Sequence, residues 1–151
     1  MNYYHVLTVL VVLVGYSSST RVLQCPSGGA LPTVEIVSNN VRCVQSPCMV
    51  YSGAPAYINI NFTATDNMPS ITPKYIATSF GLPVPYPVGS NACPEITNVV
   101  CPITKGQLVS YTHKMVIPFF LPRITVGLSI TFVNDADKSE IFCFTTDVQV
   151  Q

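Results

Sequence analysis

Two histidines, six cysteines and seven acidic residues are all this chain offers for acid–base, nucleophilic or metal-assisted chemistry. Acyl transfer needs a nucleophile, a base and a group that orients the base. The histidine available in the body of the chain is His113, and its neighbours Thr112 and Lys114 place it on the surface of a strand. Glycoside chemistry needs two facing carboxylates. The best cluster, Asp135, Asp137 and Glu140, lies in a turn of hairpin character where solvated charges belong, and it is read neither as catalytic nor as a calcium site. Cys-x2-Cys pairs are missing and one histidine is too few for a zinc site. There is also no glycine-rich phosphate loop. The expectation is therefore a protein that is not an enzyme and carries no metal or cofactor.

Cysteine chemistry of another kind is available. A polar start, Asn2 to His5, precedes the apolar run Val6 to Val14 and the small residues Gly15, Ser17, Ser18 and Ser19, so residues 1–20 read as a cleaved signal peptide. The run is about half the length of a membrane span. Residues 21–151 amount to one domain's worth of chain and contain all six cysteines. In a secreted protein these form three disulfides. Fifteen pairings exist in principle; proximity favours Cys43 with Cys48 and Cys93 with Cys101, which leaves Cys25 with Cys143 to tie the domain's ends. That long loop is the most stabilising of the three, by about 4 to 5 kcal/mol in the chain-entropy model.

Charge excludes other classes. Seven basic and seven acidic residues balance, so no basic face exists for a nucleic-acid backbone. At 9% charged and 48% hydrophobic, the chain is apolar for a soluble protein. That surplus suggests an interior built to hold more than its own side chains.

The elements that must position any site are strands. Ile124, Val126, Leu128, Ile130 and Phe132 alternate with small or polar residues, and Ile58, Ile60 and Phe62 alternate with Tyr57, Asn59, Asn61 and Thr63; both are period-two patterns of half-buried strands. The second carries the sequon Asn61-Phe62-Thr63 with Asn61 outward, a glycosylation site. Further strands are expected near Thr33–Val37, Lys74–Phe80, Gln107–Lys114 and Glu140–Val150, separated by the breakers at 52–55, 67–69, 88–91 and 134–137. Six or seven strands without intervening helices predict an all-β sandwich of two antiparallel sheets.

Two segments are unusual. Gly81-Leu82-Pro83-Val84-Pro85-Tyr86-Pro87 has prolines on alternate positions, each lacking a backbone donor, which suits a sheet edge or rim. Met115-Val116-Ile117-Pro118-Phe119-Phe120-Leu121-Pro122 holds more apolar side chains than a loop should expose. Either Phe119, Phe120 and Leu121 close one end of the core, or with Tyr86 they form the mouth of a cavity between the sheets.

The ordered set of motifs carries a resemblance. Cys43-Val44-Gln45-Ser46-Pro47-Cys48, the Gly81–Pro87 run, Cys101-Pro102-Ile103, the stretch Tyr111–Lys114 and Phe142-Cys143-Phe144 resemble the ML lipid-recognition family of the Niemann-Pick type C2 protein. Asn91-Ala92-Cys93 and Lys105-Gly106-Gln107 look like its group 2 mite allergen branch. The likeness spans about Cys25 to Val150 and implies an immunoglobulin-like β-sandwich whose sheets part to admit a sterol, fatty acid or other small lipid. It implies the same three disulfides, and lining positions at Val84, Tyr86, Ile117, Leu121 and Ile130. Leu121 and Ile130 stand where sterol carriers have aromatics, and Tyr86 adds a hydroxyl. The implied protein is a monomeric, secreted lipid carrier, with a lysosomal lumen as the alternative destination, making transient contact with a membrane or acceptor protein. The competing readings are a solid immunoglobulin-like protein-interaction domain and a lipid-sensing immune recognition domain, the latter needing a basic rim from Lys105, Lys114 and Arg123.

Overall fold

The computed structural model describes residues 19–151. The segment read as a signal peptide lies outside the described residues except for its last two. Of these, Thr20 is knitted into the domain: its N–H donates to the Val34 carbonyl at 2.7 Å, and its hydroxyl accepts from the Ile36 N–H and donates to the Cys43 carbonyl.

Ten strands form two packed sheets: β1 (Leu23–Gln24), β2 (Thr33–Ser38), β3 (Val41–Cys43), β4 (Cys48–Val50), β5 (Pro55–Thr63), β6 (Ile71–Ser79), β7 (Leu82–Tyr86), β8 (Leu108–Val116), β9 (Thr125–Asn134) and β10 (Glu140–Val150). One sheet runs β1-β10-β9-β6-β7, with β4 also paired to β10; the other runs β3-β2-β5-β8. The sandwich is immunoglobulin-like, as expected, with more strands than the sequence suggested. One pairing departs from the antiparallel expectation, because β4 lies parallel to β10. The only helix among the described residues is a single 3-10 turn, Cys93–Glu95.

Alternation decides which faces are buried. In β5, Ala56, Ile58, Ile60 and Phe62 are buried while Pro55, Tyr57 and Thr63 are exposed. β8 repeats the pattern with Val109, Tyr111, His113 and Met115 inward. The three disulfides join Cys25 to Cys143, Cys43 to Cys48 and Cys93 to Cys101.

Packing differs between the two ends of the sandwich. At one end Phe62, Phe132 and Phe142 stack edge-on and face-on with centroids 4.7 to 6.2 Å apart, and Tyr111 meets Phe132 edge-on at 4.8 Å. Such ring pairs fill volume densely and add to the stabilisation from area burial. At the other end the inner faces carry aliphatic residues, and Val50, Ala56, Ile117 and Val150 form a small cluster separate from the main core. Between the two clusters the sheets leave a gap.

Candidate functional site

The gap is a cavity of about 240 Å³ whose walls present carbon alone. All strands long enough to cross the sandwich contribute. Ile36 comes from β2, Ile58 from β5, Met115 from β8, Leu128 from β9 and Val148 from β10. Two other hollows, about 260 Å³ beside the Cys43–Cys48 loop and about 340 Å³ beside Leu31 and Asn61, mix polar and apolar walls on the outside of the domain. A dry, concave, apolar site enclosed between layers is the one suited to a small ligand.

Four of the five lining residues expected from the sequence meet here: Val84, Tyr86, Ile117 and Leu121. Val84 and Tyr86 come from β7, the edge strand of its sheet, where Pro83 and Pro85 cost no ladder bond. Tyr75 of β6 is the register partner of Tyr86. Burial pushes the pKa of the Tyr86 hydroxyl up, opposed by the backbone of Val116 beside it, so the side chain spans from one sheet's edge toward the other's. Ile117 is fixed by two backbone bonds to the β4–β5 turn, from the Gly53 N–H to its carbonyl and from its N–H to the Ala54 carbonyl. Leu121 closes a turn on Pro118, and Ser52 donates to its carbonyl.

Ile130 requires a correction. It is fully buried in the aromatic end of the core and is not part of the cavity wall. Its strand does line the cavity, but through Ile124, Val126 and Leu128, because Tyr75 and Phe144 flank Ile130 in register and leave no space beside it.

Of the two readings of Phe119 and Phe120, closing one end of the core is not what they do. They are 83% and 73% exposed, edge-on to each other at 5.7 Å, and lie beyond the lining. Phe80, next in sequence to the lining residue Ser79, is 93% exposed. Phe80 and Gly81 both have positive φ and form the two-residue turn between β6 and β7, the backbone that a tight right-twisted hairpin demands. A phenylalanine there carries strain and gains no burial.

His113 is the second correction. It faces inward, 9% exposed, next in the row to the lining residue Met115. Its Nδ1 lies 2.8 Å from Glu95 Oε1, and its ring meets Tyr75 edge-on at 5.4 Å. Tyr75 donates to the Tyr111 hydroxyl at 3.4 Å. Burial pushes the pKa of both tyrosines well above the phenol range, so their two hydroxyls stay neutral beside the cavity.

The other polar residues singled out are placed elsewhere. Asp135 accepts from Ser70 and Thr72, which ties the β9–β10 turn to β6. Asn61 faces outward, half-buried, and accepts from Ser110 at 2.6 Å. Lys105 sits in a turn bonded to Asn67 and Ala64 at the aromatic end, away from the mouth. Among the described residues no group of acids, histidines and cysteines could hold a metal ion.

The ML domain model matches residues 19–150. The chain belongs to the ML domain family. This ML domain is 26% identical over 144 residues to the mouse NPC intracellular cholesterol transporter 2, covering 95% of each chain. It is also 26% identical over 149 residues to the ecdysteroid-regulated 16 kDa protein of Manduca sexta, covering 95% of this chain and 94% of that one. In fold it matches the crystal structure of a Niemann-Pick type C2 protein from the Japanese carpenter ant, with a TM-score of 0.71 at 18% identity over 87% of this chain and 99% of the other.

Proposed function

We propose that this ML domain is a secreted, monomeric carrier that holds a small lipid between its sheets and hands it over at the mouth framed by β7 and the β8–β9 loop. The observation that carries this reading is the carbon-walled cavity between the two apolar clusters. Burying apolar ligand area stabilises by about 25 cal/mol per Å², and no catalytic group is required. The relative named as a cholesterol transporter supports the same class.

At about 240 Å³ the cavity lies below the range of about 300 to 1,000 Å³ usual for ligand sites. Its walls are aliphatic and can rearrange, which favours a flexible chain such as a fatty acid over a rigid ring system. The exposed Phe80, Phe119 and Phe120 flank the mouth and suit transient contact with a membrane or an apolar acceptor. A solid protein-interaction domain would require a filled interior, and the cavity removes its support. The immune-recognition reading loses Lys105, which lies at the wrong end.

Mass spectrometry of an organic extract from the purified secreted protein, with displacement of a fluorescent fatty acid or sterol, tests the proposal. A co-purifying lipid is expected. Absence of both bound lipid and displacement overturns it.

A further inference from the structure

Two buried hydroxyls have no partner, Ser38 Oγ and Thr146 Oγ1, and leaving such groups unpaired is costly. Both lie on the inner faces of the sheets. Thr146, 5% exposed, comes after Phe144 along β10, precedes the lining residue Val148, and pairs in register with the lining residue Leu128. Ser38, 3% exposed, comes after the lining residue Ile36 along β2 and pairs with the lining residue Ala56. It also forms part of the wall toward the hollow at the Cys43–Cys48 loop.

Topology puts both on the same side of the sandwich. β7 and β8 are the edge strands of their sheets on the mouth side. β10 and β2 lie on the opposite side, where β4 packs against both. The orphan hydroxyls therefore mark the closed side of the cavity, the one a lipid reaches last. The cavity's small volume means that a ligand must push the aliphatic walls apart, and Thr146 and Ser38 are the inner-face neighbours of the lining residues Val148 and Ile36 on their strands.

We infer that the closed side of the cavity is a polar recognition point, where Thr146, assisted by Ser38, hydrogen-bonds a hydroxyl or carbonyl at the buried end of the ligand. The preferred cargo is then a lipid polar at both ends, with one head in water at the mouth and the other at β10. This rests on the carrier reading above and narrows its ligand class.

The test measures displacement of a fluorescent fatty acid by palmitate and by ω-hydroxypalmitate, on the mature protein and on Thr146→Val and Ser38→Ala. The unmodified protein is expected to prefer the ω-hydroxy acid by about fivefold, the worth of one neutral hydrogen bond. Thr146→Val keeps the side chain's shape, removes the preference and leaves palmitate binding unchanged; Ser38→Ala weakens the preference, and carries the test if the valine variant does not fold. Equal affinities in the unmodified protein, or a preference that survives both substitutions, overturn the inference and leave the carrier reading standing. Failure of both acids to displace the probe overturns the two together.

Discussion

His113 Nδ1 lies 2.8 Å from Glu95 Oε1, which ties the inner face of β8 to the 3-10 turn that the Cys93–Cys101 disulfide holds. A histidine turned into an apolar interior needs a partner for its ring nitrogens, and Glu95 supplies it from the half-exposed flank. Glu95→Ala should lower stability by about 1 to 2 kcal/mol, because the imidazole loses a partner inside while the carboxylate was partly solvated outside. Urea unfolding of Glu95→Ala, His113→Phe and the double variant measures the pair; strictly additive losses would show that the two side chains are not coupled.

Ile117 and Ile130 should separate binding from folding. Ile130 is enclosed by Tyr75 and Phe144, so Ile130→Ala is expected to cost about 2 to 5 kcal/mol with lipid affinity lost only as the protein unfolds. Ile117 lines the cavity, and Ile117→Asp should weaken lipid uptake because a carboxylate cannot ionise cheaply in a carbon-walled site. Thermal melts beside probe displacement check both, and unchanged affinity in Ile117→Asp would remove it from the site.

Phe119 and Phe120 contact solvent and lie outside the cavity. Replacing both with serine should leave equilibrium lipid affinity and Tm unchanged while slowing lipid transfer to phosphatidylcholine vesicles several-fold, since the apolar contact with the bilayer is lost. Transfer between labelled protein and vesicles gives the rate, and an unaltered rate would count against membrane contact at this rim.

Asp135 should contribute to acid sensitivity. Hydrogen bonds donated by Ser70 and Thr72 hold its carboxyl below the ordinary value of 3.8. A depressed folded-state pKa means that its stabilisation is fully present above 3.8 and is lost as pH falls through the lowered value. Asp135→Asn should therefore be less stable than the unmodified protein at neutral pH, and the gap should close in strong acid. A gap that stays constant below pH 3.8 would assign the effect to packing instead.

Thr20 sets a limit on where a processed chain could begin. Its three hydrogen bonds to β2 and to Cys43 make it part of the folded domain, so the mature N-terminus should lie at Thr20 or earlier. Intact-mass measurement on secreted protein decides this, and a chain that starts at Arg21 would contradict it.

Much of the fold was legible in the sequence because a half-buried strand writes its faces into alternate positions. The run Ile124 to Phe132 matches β9 to within two residues and the run Tyr57 to Thr63 falls within β5, and the disulfide pairing could be argued from spacing. β1 and β4 were not legible, since strands of two and three residues are too short to show a period and take their place by pairing with β10. The inward turn of His113 was there to be read, as it shares parity with Val109, Tyr111 and Met115; its single basic neighbour, Lys114, drew attention to the wrong face.

The sequence by itself determined that the chain forms a disulfide-closed β-sandwich with apolar inner faces and a proline-framed edge, because those properties reside in residue type and local spacing. Tertiary structure alone decided that Ile117 meets a cavity while Ile130 meets packed rings, and that Ser38 and Thr146 are left without partners. Whether an inward side chain is covered depends on what the facing sheet places at the same height, and those residues lie dozens of positions away along the chain.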